Sequence, residues 1–193
     1  MHTDKKSFSL ILIIKGLLEA RINLPKSSIL IIGAGGAAQS IIHGLQNRRP
    51  RVIAIANRTK EKVKPLVNRF PPLDSDDTLP DTQVVDIETY LNEWEFQGFT
   101  TLINATSANE ELAFKWCESL PIKGMTNFYD LSYSKLGETT PFVKWAKSQD
   151  IGATSKIVRD GFGMLIHQAA LSFEMWTGIE PDTKITKAEL FDE

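Results

Sequence analysis

The sequence has few of the residues that build disulfide frameworks, metal sites or paired catalytic thiols. Cys117 is the only cysteine among 193 residues, which excludes an internal disulfide framework and fits a reducing cytoplasm. The three histidines show no metal-ligand spacing with that cysteine or with each other, and no Ser/His/Asp pattern or Walker loop occurs. We therefore expect no metal site and no nucleophilic catalytic set.

Charge of one sign and long apolar runs are also lacking. The net charge of −2 gives no general reason to expect nucleic acid or an anionic membrane as a partner. Lys5 and Lys6 precede an apolar run, residues 8–14, that imitates a signal peptide. The run is far shorter than a membrane span, and charged residues follow it without a cleavage site. We predict a cytoplasmic protein that begins with a helix from about Thr3 to Ala20.

Stretches typical of strands alternate with stretches typical of helices, and the 42% of apolar residues suffice for one domain with a real core. We predict strands at Ile29–Ile32, Val52–Ala56, Thr82–Val85, Thr100–Asn104, Asn127–Leu131 and Ser155–Val158. We predict further helices from the first strand's end to about Asn47 and at Glu61–Phe70, Glu88–Trp94, Glu111–Ser119, Pro141–Gln149, Gly163–Thr177 and Pro181–Leu190. This alternation predicts an α/β protein with a Rossmann-like, doubly wound, mostly parallel sheet of about six strands and helices on both faces.

A short apolar strand followed by glycines and a helix is the most informative stretch. Four aliphatic residues from Ile29 to Ile32 suit a strand covered on both faces, and Gly33 lets the chain turn sharply at its end. Gly35 has no Cβ, so a pyrophosphate can approach the backbone, and Ala38 is the small residue where helix and strand pack tightly. The free N–H groups of the helix start would face the phosphates. This turn predicts a dinucleotide site.

The end of the second strand indicates which dinucleotide binds. Asn57, Arg58, Thr59 and Lys60 follow that strand, about 20 residues past the glycine turn. An NAD site would hold a carboxylate there for the ribose 2′-hydroxyl, whereas donors and positive charges suit a 2′-phosphate. We therefore predict NADP(H) as the cofactor. The alternative is a solvated turn in which Thr59 is only a helix N-cap, and the glycine turn at the expected distance disfavours it.

Ligands of parallel sheets lie at the carboxyl ends of the strands, which selects further candidates. Asn104 and Thr106 close the fourth strand and can lie against a ribose or nicotinamide, while Tyr133 follows the fifth and can hydrogen-bond a substrate. Gly161 precedes the long helix, where it allows the close approach of a flat ring. Each has a structural alternative, namely a polar turn, a surface tyrosine and a flexible residue after an Asp160 N-cap.

The long helix from Gly163 to Thr177 has no wide polar face, which predicts that it is covered nearly all round. Gln168 lies among its apolar residues. A buried amide there would need hydrogen-bond partners, which either a substrate hydroxyl or a neighbouring helix can supply. We assign no catalytic role to the adjacent His167.

These motifs, in this order, resemble those of the quinate/shikimate 5-dehydrogenase family over nearly the whole chain. The matching stretches are Gly33-Ala34-Gly35-Gly36-Ala37, Asn57-Arg58-Thr59, Asn104-Ala105-Thr106-Ser107, Tyr129-Asp130-Leu131-Ser132-Tyr133 with Thr140-Pro141-Phe142, and Asp160-Gly161-Phe162-Gly163-Met164 with Gln168-Ala169-Ala170. Shikimate 5-dehydrogenases reversibly reduce 3-dehydroshikimate to shikimate with NADPH. The resemblance implies that residues 1–193 form the single NADP(H)-binding domain of such an enzyme.

The resemblance also implies roles for the candidate residues. Gly33 to Ala37 and Asn57 to Lys60 would hold the dinucleotide, Leu131 and Gly161 would flank the nicotinamide, and Tyr133 and Gln168 would contact the substrate. Helices within residues 1–22 and 160–193 would lie at the junction with an amino-terminal substrate domain. Their second apolar faces predict either self-association or docking of such a domain.

The start of the chain departs from the family pattern. Where the family has Asn-Thr-Asp-Gly-x-Gly-Phe, this chain has His2-Thr3-Asp4-Lys5-Lys6-Ser7-Phe8, and Ala108-Asn109-Glu110 replaces a family x-Gly-Met. Asp4 corresponds to the aspartate of the family's catalytic Lys–Asp pair, whose lysine belongs to the substrate domain. Two functional classes stay open: an oxidoreductase that acts on shikimate or 3-dehydroshikimate once completed by that domain, and a stand-alone NADP(H)-binding module. A quinate-type relative is a third.

Overall fold

Six strands form one parallel sheet in the computed structural model, which describes residues 14–18, 22–71, 82–93, 98–134, 138–153 and 155–183. The strands are β1 (Ser28–Ile32), β2 (Val52–Ala56), β3 (Gln83–Asp86), β4 (Thr101–Asn104), β5 (Asn127–Asp130) and β6 (Ile157–Arg159). Their spatial order is β3-β2-β1-β4-β5-β6. Each strand overlaps the segment predicted for it.

β1 is a central strand, and the two halves of the sheet extend away from it in opposite directions. Ile29 pairs with Ile53 of β2 on one side and with Thr101 of β4 on the other. Strands β2 and β3 lie on the first side, and β4, β5 and β6 lie on the second. From β1 the chain first adds strands on one side, β2 and β3, and then crosses over to add β4, β5 and β6 on the other side. The loops that follow β1 and β4 therefore diverge and leave a crevice at the carboxyl ends of these two strands, where ligands of such sheets bind.

Helices connect the strands on both sides of the sheet. Within the described residues, the α-helices are α1 (residues 14–18), α2 (Gly36–Gln46), α3 (Val63–Val67), α4 (Ile87–Glu93), α5 (Pro141–Ser148) and α6 (Phe162–Thr177). Leu24–Lys26, Lys60–Lys62 and Glu111–Ser119 form 3₁₀ helices. Pro141 occupies the first turn of α5, where its missing N–H costs nothing, and the N-cap Thr140 accepts a hydrogen bond from Val143 N.

Alternate residues of each strand face the two sides of the sheet. In β1, Ile29 and Ile31 belong to one buried apolar cluster, and Leu30 and Ile32 belong to the other. The first cluster includes residues of α1, α2 and α3, and the second includes residues of α4, α5 and the 3₁₀ helix Glu111–Ser119. Helices therefore cover both faces, which confirms the predicted doubly wound α/β fold.

This chain covers α6 only in part, so the coverage nearly all round that the composition of α6 predicts is not reached within the chain itself. Its first turns pack on the domain, since Phe162 and His167 are buried. Gln168, by contrast, is exposed and is not the buried amide that we expected. The sequence pattern reports the apolar surface of the whole helix, whereas in this chain only Phe162 and His167 of α6 are buried. Four large apolar side chains in and just after the second half of α6 are exposed: Phe173, Met175, Trp176 and Ile179.

Several predicted boundaries shift or lie partly outside the described residues. Residues 14–18 of the predicted first helix are helical, and its remainder, with Asp4, lies outside them. The predicted last helix is not helical at residues 181–183, and its remainder lies outside as well. α3 ends at Val67, because Arg69 N and Phe70 N bond to carbonyls three residues back, which tightens the chain out of the α-helix.

Candidate functional site

A cleft of about 920 Å³ opens at the carboxyl ends of β1, β2, β4 and β5. Four loops meet there because parallel strands all end at the same edge of the sheet. The residues that line the cleft are Gly33, Ala34, Gly35, Gly36, Ala37, Asn57, Arg58, Thr59, Lys62, Ala105, Thr106, Ser107, Ala108, Asn109, Glu110, Ala113, Phe114, Trp116, Leu131 and Ser132.

Gly33 makes the sharp turn at the end of β1. Its φ of +114° is one that residues with a Cβ rarely adopt, and a Cβ there would lie 2.8 Å from Ala105 O. Gly33 N donates to Ala56 O at 2.8 Å, and Ala105 N donates to Ile32 O at the same distance. The turn is thus fixed between the ends of β2 and β4, and only glycine fits it.

Gly35 and Gly36 leave room for a ligand beside the start of α2. A Cβ added at either position would meet no atom within 4 Å. Gly35 is the N-cap of α2, and the hydrogen bond from Gln39 N to Gly35 O closes the first turn of the helix. The earlier N–H groups of that turn have no intrahelical acceptor and combine with the positive end of the helix dipole. This arrangement is suited to an anion.

The turn after β2 brings an amide, a guanidinium and an ammonium to the cleft. Asn57 Nδ2 donates to Thr59 O at 2.8 Å, which fixes the turn, and the exposed Arg58 and Lys62 provide the cations. Thr59 is the N-cap of the following 3₁₀ helix but makes no capping hydrogen bond with its side chain. The interpretation of Thr59 as a plain N-cap therefore loses its main physical support.

Lys60 points to a different partner from the one that we assigned to it. Its ammonium forms an ion pair with Glu88 in the first turn of α4, and Lys60 is not among the residues that line the cleft. Lys62, which the sequence reasoning missed, does line it. The sequence signal that could have identified Lys62 was its positive charge, two residues after Lys60 in the same short segment.

A buried hydrogen-bond network joins the ends of β4 and β5. Asn104 Nδ2 donates to Asp130 Oδ1 over 2.8 Å, and Thr140 Oγ1 donates to Asp130 Oδ2 over 2.6 Å. Asn104 Oδ1 accepts from the backbone N and the hydroxyl of Thr106, at 3.0 and 2.7 Å. Ser132 N donates to Asp130 Oδ1 at 3.0 Å. The network fixes the start of both loops that line this side of the cleft.

Asp130 is a buried carboxylate in a place where acids usually ionise with difficulty. Burial raises the pKa of its carboxyl above the ordinary value, and the nearby charge of Asp160 adds to the rise. The hydrogen bonds that Thr140, Ser132 and Asn104 donate favour the ionised form and oppose that rise. In the ionised form all three donors have an acceptor oxygen.

Gly161 packs against the loop after β5. A Cβ at this position would lie 2.9 Å from the carbonyl carbon of Leu131 and would overlap its oxygen, so only glycine fits. Gly161 N donates to Ser132 O at 2.9 Å, and α6 begins at the next residue. Leu131 itself lines the cleft, so the start of α6 is fixed directly behind the cleft wall.

The two residues predicted to contact the substrate, Tyr133 and Gln168, do not line the cleft. Tyr133 is 45% exposed just beyond Leu131 and Ser132, and Gln168 is exposed on α6. Neither lines the cleft described here, and Asp4 lies outside the described residues. Asn104 is fully buried and shapes the cleft wall through Thr106 rather than lining it.

The described part of the chain contains no group of three or more His, Cys, Asp or Glu side chains placed to hold a metal ion. Within the same residues no helix has the length and apolar character needed to cross a membrane. Cys117 is buried, and burial raises the pKa of its thiol to about 12, so it is a packing residue rather than a reactive one.

Two family models match the chain. The model described as Shikimate / quinate 5-dehydrogenase matches residues 17–119, and the model described as Shikimate 5'-dehydrogenase C-terminal domain matches residues 161–191. Among curated proteins, the shikimate dehydrogenase (NADP(+)) of Colwellia psychrerythraea is 37% identical over 172 residues, which are 89% of this chain and 56% of that protein. The protein of the same name from Vesicomyosocius okutanii is 36% identical over 168 residues, 84% of this chain and 54% of that one.

Solved structures agree with the sequence matches. A shikimate 5-dehydrogenase from Thermus thermophilus, crystallised in complex with shikimate, is 26% identical with a TM-score of 0.62, and the match covers 95% of this chain and 59% of that one. This chain thus spans about half the length of the curated relatives that it matches. The first family model alone covers more than half of this chain and includes the glycine turn, the cationic turn after β2 and Asn104 to Thr106. The chain belongs to the shikimate/quinate 5-dehydrogenase family.

Proposed function

We propose that this chain binds NADP(H) in the cleft at the carboxyl ends of its strands. The observation that carries the proposal is that one cleft is lined both by the glycine turn at the start of α2 and by the cationic turn after β2. The first suits a pyrophosphate, and the second, with Arg58 and Lys62, suits a ribose 2′-phosphate. The curated relatives are named as NADP(+) enzymes, which supports the same cofactor here.

The residues present fit this cofactor in size and charge. The open space beside Gly35 and Gly36 admits phosphate oxygens to the backbone N–H groups of α2. The turn from Asn57 to Thr59 contains donors and no carboxylate, so nothing in it repels a 2′-phosphate. When bound, the nicotinamide supplies reversible hydride transfer. We assign its place to the side of the cleft near Thr106 and Leu131, with Gly161 behind.

We further propose that the reaction served is the NADP-dependent interconversion of 3-dehydroshikimate and shikimate. The names of the curated relatives support this substrate, and Tyr133 and Gln168 are the residues that we assign to contact it. Carbonyl reduction needs a proton donor beside the reacting oxygen, and we assign Asp4 to one half of that donor pair, with the lysine supplied by a substrate domain. The alternatives are a quinate-type substrate and cofactor binding without turnover.

Cofactor choice tests the first proposal. Calorimetric titration should give roughly ten- to a hundredfold tighter binding of NADPH than of NADH, because charge-assisted contacts to the 2′-phosphate contribute about 1.5–3 kcal/mol. Arg58→Ala should remove most of that difference while leaving NADH binding nearly unchanged. Equal affinities of the unaltered chain for the two cofactors would refute the assignment of NADP(H).

Turnover tests the second proposal. The purified chain alone should show only trace shikimate-dependent reduction of NADP⁺, and adding the amino-terminal domain of a relative as a separate chain should raise it. Quinate in place of shikimate separates the two substrate assignments. Robust turnover by the chain alone would assign the missing proton donor to a residue of this chain, with Lys5 and Lys6 as the first to replace.

We infer that the helices within residues 1–22 and 160–193 contact a substrate domain or a second copy of the chain, and that the protein is cytoplasmic. The exposed apolar side chains of α6 support the contact, with Trp176 85% exposed. Light scattering over a concentration series, repeated with Trp176→Ser, measures self-association. A monomer at every concentration that also ignores the added domain contradicts the inferred contact.

A further inference from the structure

The loops after β4 and β5 line the side of the cleft opposite the turn that contains Arg58. The strand order places β2 on one side of β1 and places β4 and β5 on the other. A dinucleotide with its 2′-phosphate beside Arg58 therefore extends its nicotinamide half toward Thr106, Leu131 and Ser132. The relative position of these two loops decides how that half is held.

One buried carboxylate connects both loops. Asp130 Oδ1 accepts from Ser132 N in the β5 loop at 3.0 Å and from Asn104 Nδ2 at 2.8 Å. Asn104 Oδ1 in turn accepts both hydrogen bonds that Thr106 donates, so the β4 loop is fixed to the same carboxylate. A backbone hydrogen bond from Leu131 N to Asn104 O, 3.0 Å long, joins the two loops a second time.

The second carboxylate oxygen is anchored to a helix. Asp130 Oδ2 accepts from the Thr140 hydroxyl at 2.6 Å, and the same hydroxyl accepts from Val143 N at 3.2 Å as the N-cap of α5. α5 contributes buried residues to the second apolar cluster, so it is a rigid support. Asp130 is 1% exposed, which excludes it from contact with a ligand in the cleft.

The same carboxylate influences the start of α6. Ser132 O accepts from Gly161 N at 2.9 Å, and Gly161 lies directly against the Leu131 carbonyl. A shift of the β5 loop would therefore move the residue that we place behind the nicotinamide. Two loops of the cleft wall and the start of α6 behind it thus depend on the acceptors of one side chain.

We propose that Asp130 is a positioning residue for the nicotinamide half of the cofactor, because it holds the loops after β4 and β5 at the separation which that half needs. This inference rests on the proposed binding of NADP(H). Asp130 acts through Thr106, Leu131 and Gly161 and does not touch the cofactor. Loss of the carboxylate weakens binding of the intact cofactor. It does not weaken binding of a ligand that has only the adenine half, because that half lies beside Arg58.

The test compares NADPH with 2′,5′-ADP, which is the adenosine half of NADPH with its 2′-phosphate and one 5′-phosphate. Asp130→Leu removes every acceptor, whereas Asp130→Asn keeps one oxygen that accepts from Ser132 N and Asn104 Nδ2. By calorimetry, Asp130→Leu should bind NADPH roughly ten- to a hundredfold more weakly and 2′,5′-ADP within about twofold of the unaltered chain. Asp130→Asn should recover most of the loss. Fluorescence of the bound nicotinamide should fall in the leucine variant and return in the asparagine variant.

Two further substitutions separate positioning from stability. If Asp130→Leu does not fold, Thr140→Val is used, because valine keeps the side-chain shape and lacks the hydroxyl. This variant should show a smaller loss of NADPH affinity, again without a loss of 2′,5′-ADP affinity. Thr140→Ser keeps the hydroxyl and should bind NADPH like the unaltered chain. Thr82→Val is the matched control, since it removes the buried hydrogen bond to Pro50 O, 2.8 Å long, at the amino end of β3. It should lower stability and leave both affinities unchanged.

The outcomes distinguish the two proposals. Selective loss of NADPH affinity in the folded variants supports the positioning role. Equal loss of both ligands, or no loss at all in a folded Asp130→Leu, overturns it while NADP(H) binding by the unaltered chain still stands. If the unaltered chain binds neither ligand, the proposed function fails, and the positioning role fails with it.

Discussion

Lys60 and Glu88, 28 positions apart in the sequence, form an ion pair between the turn after β2 and the first turn of α4. The hydrogen bond and the charge of Glu88 raise the pKa of the Lys60 ammonium. Both side chains are largely exposed, at 74% and 57%, so the pair contributes little to folding stability. Because Lys60 follows the turn that contains Arg58, we expect Glu88 to compete with a bound 2′-phosphate for this ammonium.

The first prediction concerns that competition. Glu88→Gln should increase the affinity for NADPH by about two- to fourfold, because it frees Lys60 and removes a negative charge near the 2′-phosphate. The affinity for NADH should not change. Calorimetry at low ionic strength measures both. Glu174→Gln on the exposed side of α6 makes the same change in net charge, and an equal gain there would show that the effect is not local.

The second prediction concerns Lys62. Lys62 lines the cleft, so Lys62→Ala should weaken NADPH binding by roughly three- to tenfold, as expected for one exposed charge-assisted contact to a phosphate. Lys64→Ala is the control, because Lys64 is also exposed, two residues further on, but does not line the described cleft. Similar losses in the two variants would mean that only the net charge matters.

The third prediction concerns the backbone at Gly33. Gly33→Ala should lower the free energy of unfolding by about 3 kcal/mol or more, because it combines an unfavourable φ with a clash against Ala105 O. Gly152→Ala has a positive φ of +67° but meets no atom within 4 Å, so it should cost only about 1–2 kcal/mol. Urea unfolding of both variants measures the difference. Equal costs would show that the contact with Ala105 relaxes.

The fourth prediction concerns pH. The pKa of Asp130 in the folded chain lies above its ordinary value of 3.8, because burial outweighs the hydrogen bonds. As the pH falls, the folded chain therefore takes up this proton at a higher pH than the unfolded chain does. The stability of the unaltered chain relative to Asp130→Asn should be greatest below about pH 4 and should fall as pH rises through the raised pKa. Urea unfolding from about pH 4 to pH 7 measures this. A relative stability that instead rises with pH would assign a lowered pKa to the carboxyl.

The central part of the fold could be predicted from the sequence because its signals are local. Ile29 to Gly36 combine a buried strand, a turn that only glycine fits and a helix start within eight consecutive residues, and each signal supports the others. The cationic turn after β2 is equally local. In both places the interactions that determine the structure lie between near neighbours in sequence.

The parts that were missed depend on residues far apart in the chain. The carboxylate of Glu88 has no local pattern that links it to Lys60, and the link from Asn104 to Asp130 spans 26 positions. The polar residues that end both of these neighbouring parallel strands were a usable signal for the second link. The exposure of Gln168 follows from how much of α6 the rest of the chain covers, which apolar periodicity does not report.

The pairing of β1 has a consequence for how the chain folds during synthesis. One edge of this strand pairs with β2, which follows soon after it, but the other pairs with β4, and Ser28 and Thr100 are 72 positions apart. A nascent chain that ends before β4 therefore exposes an apolar strand with an unpaired edge. Such an edge can pair with strands of other molecules, so we expect the nascent chain to be exposed to aggregation from the translation of β1 until β4 has paired with it.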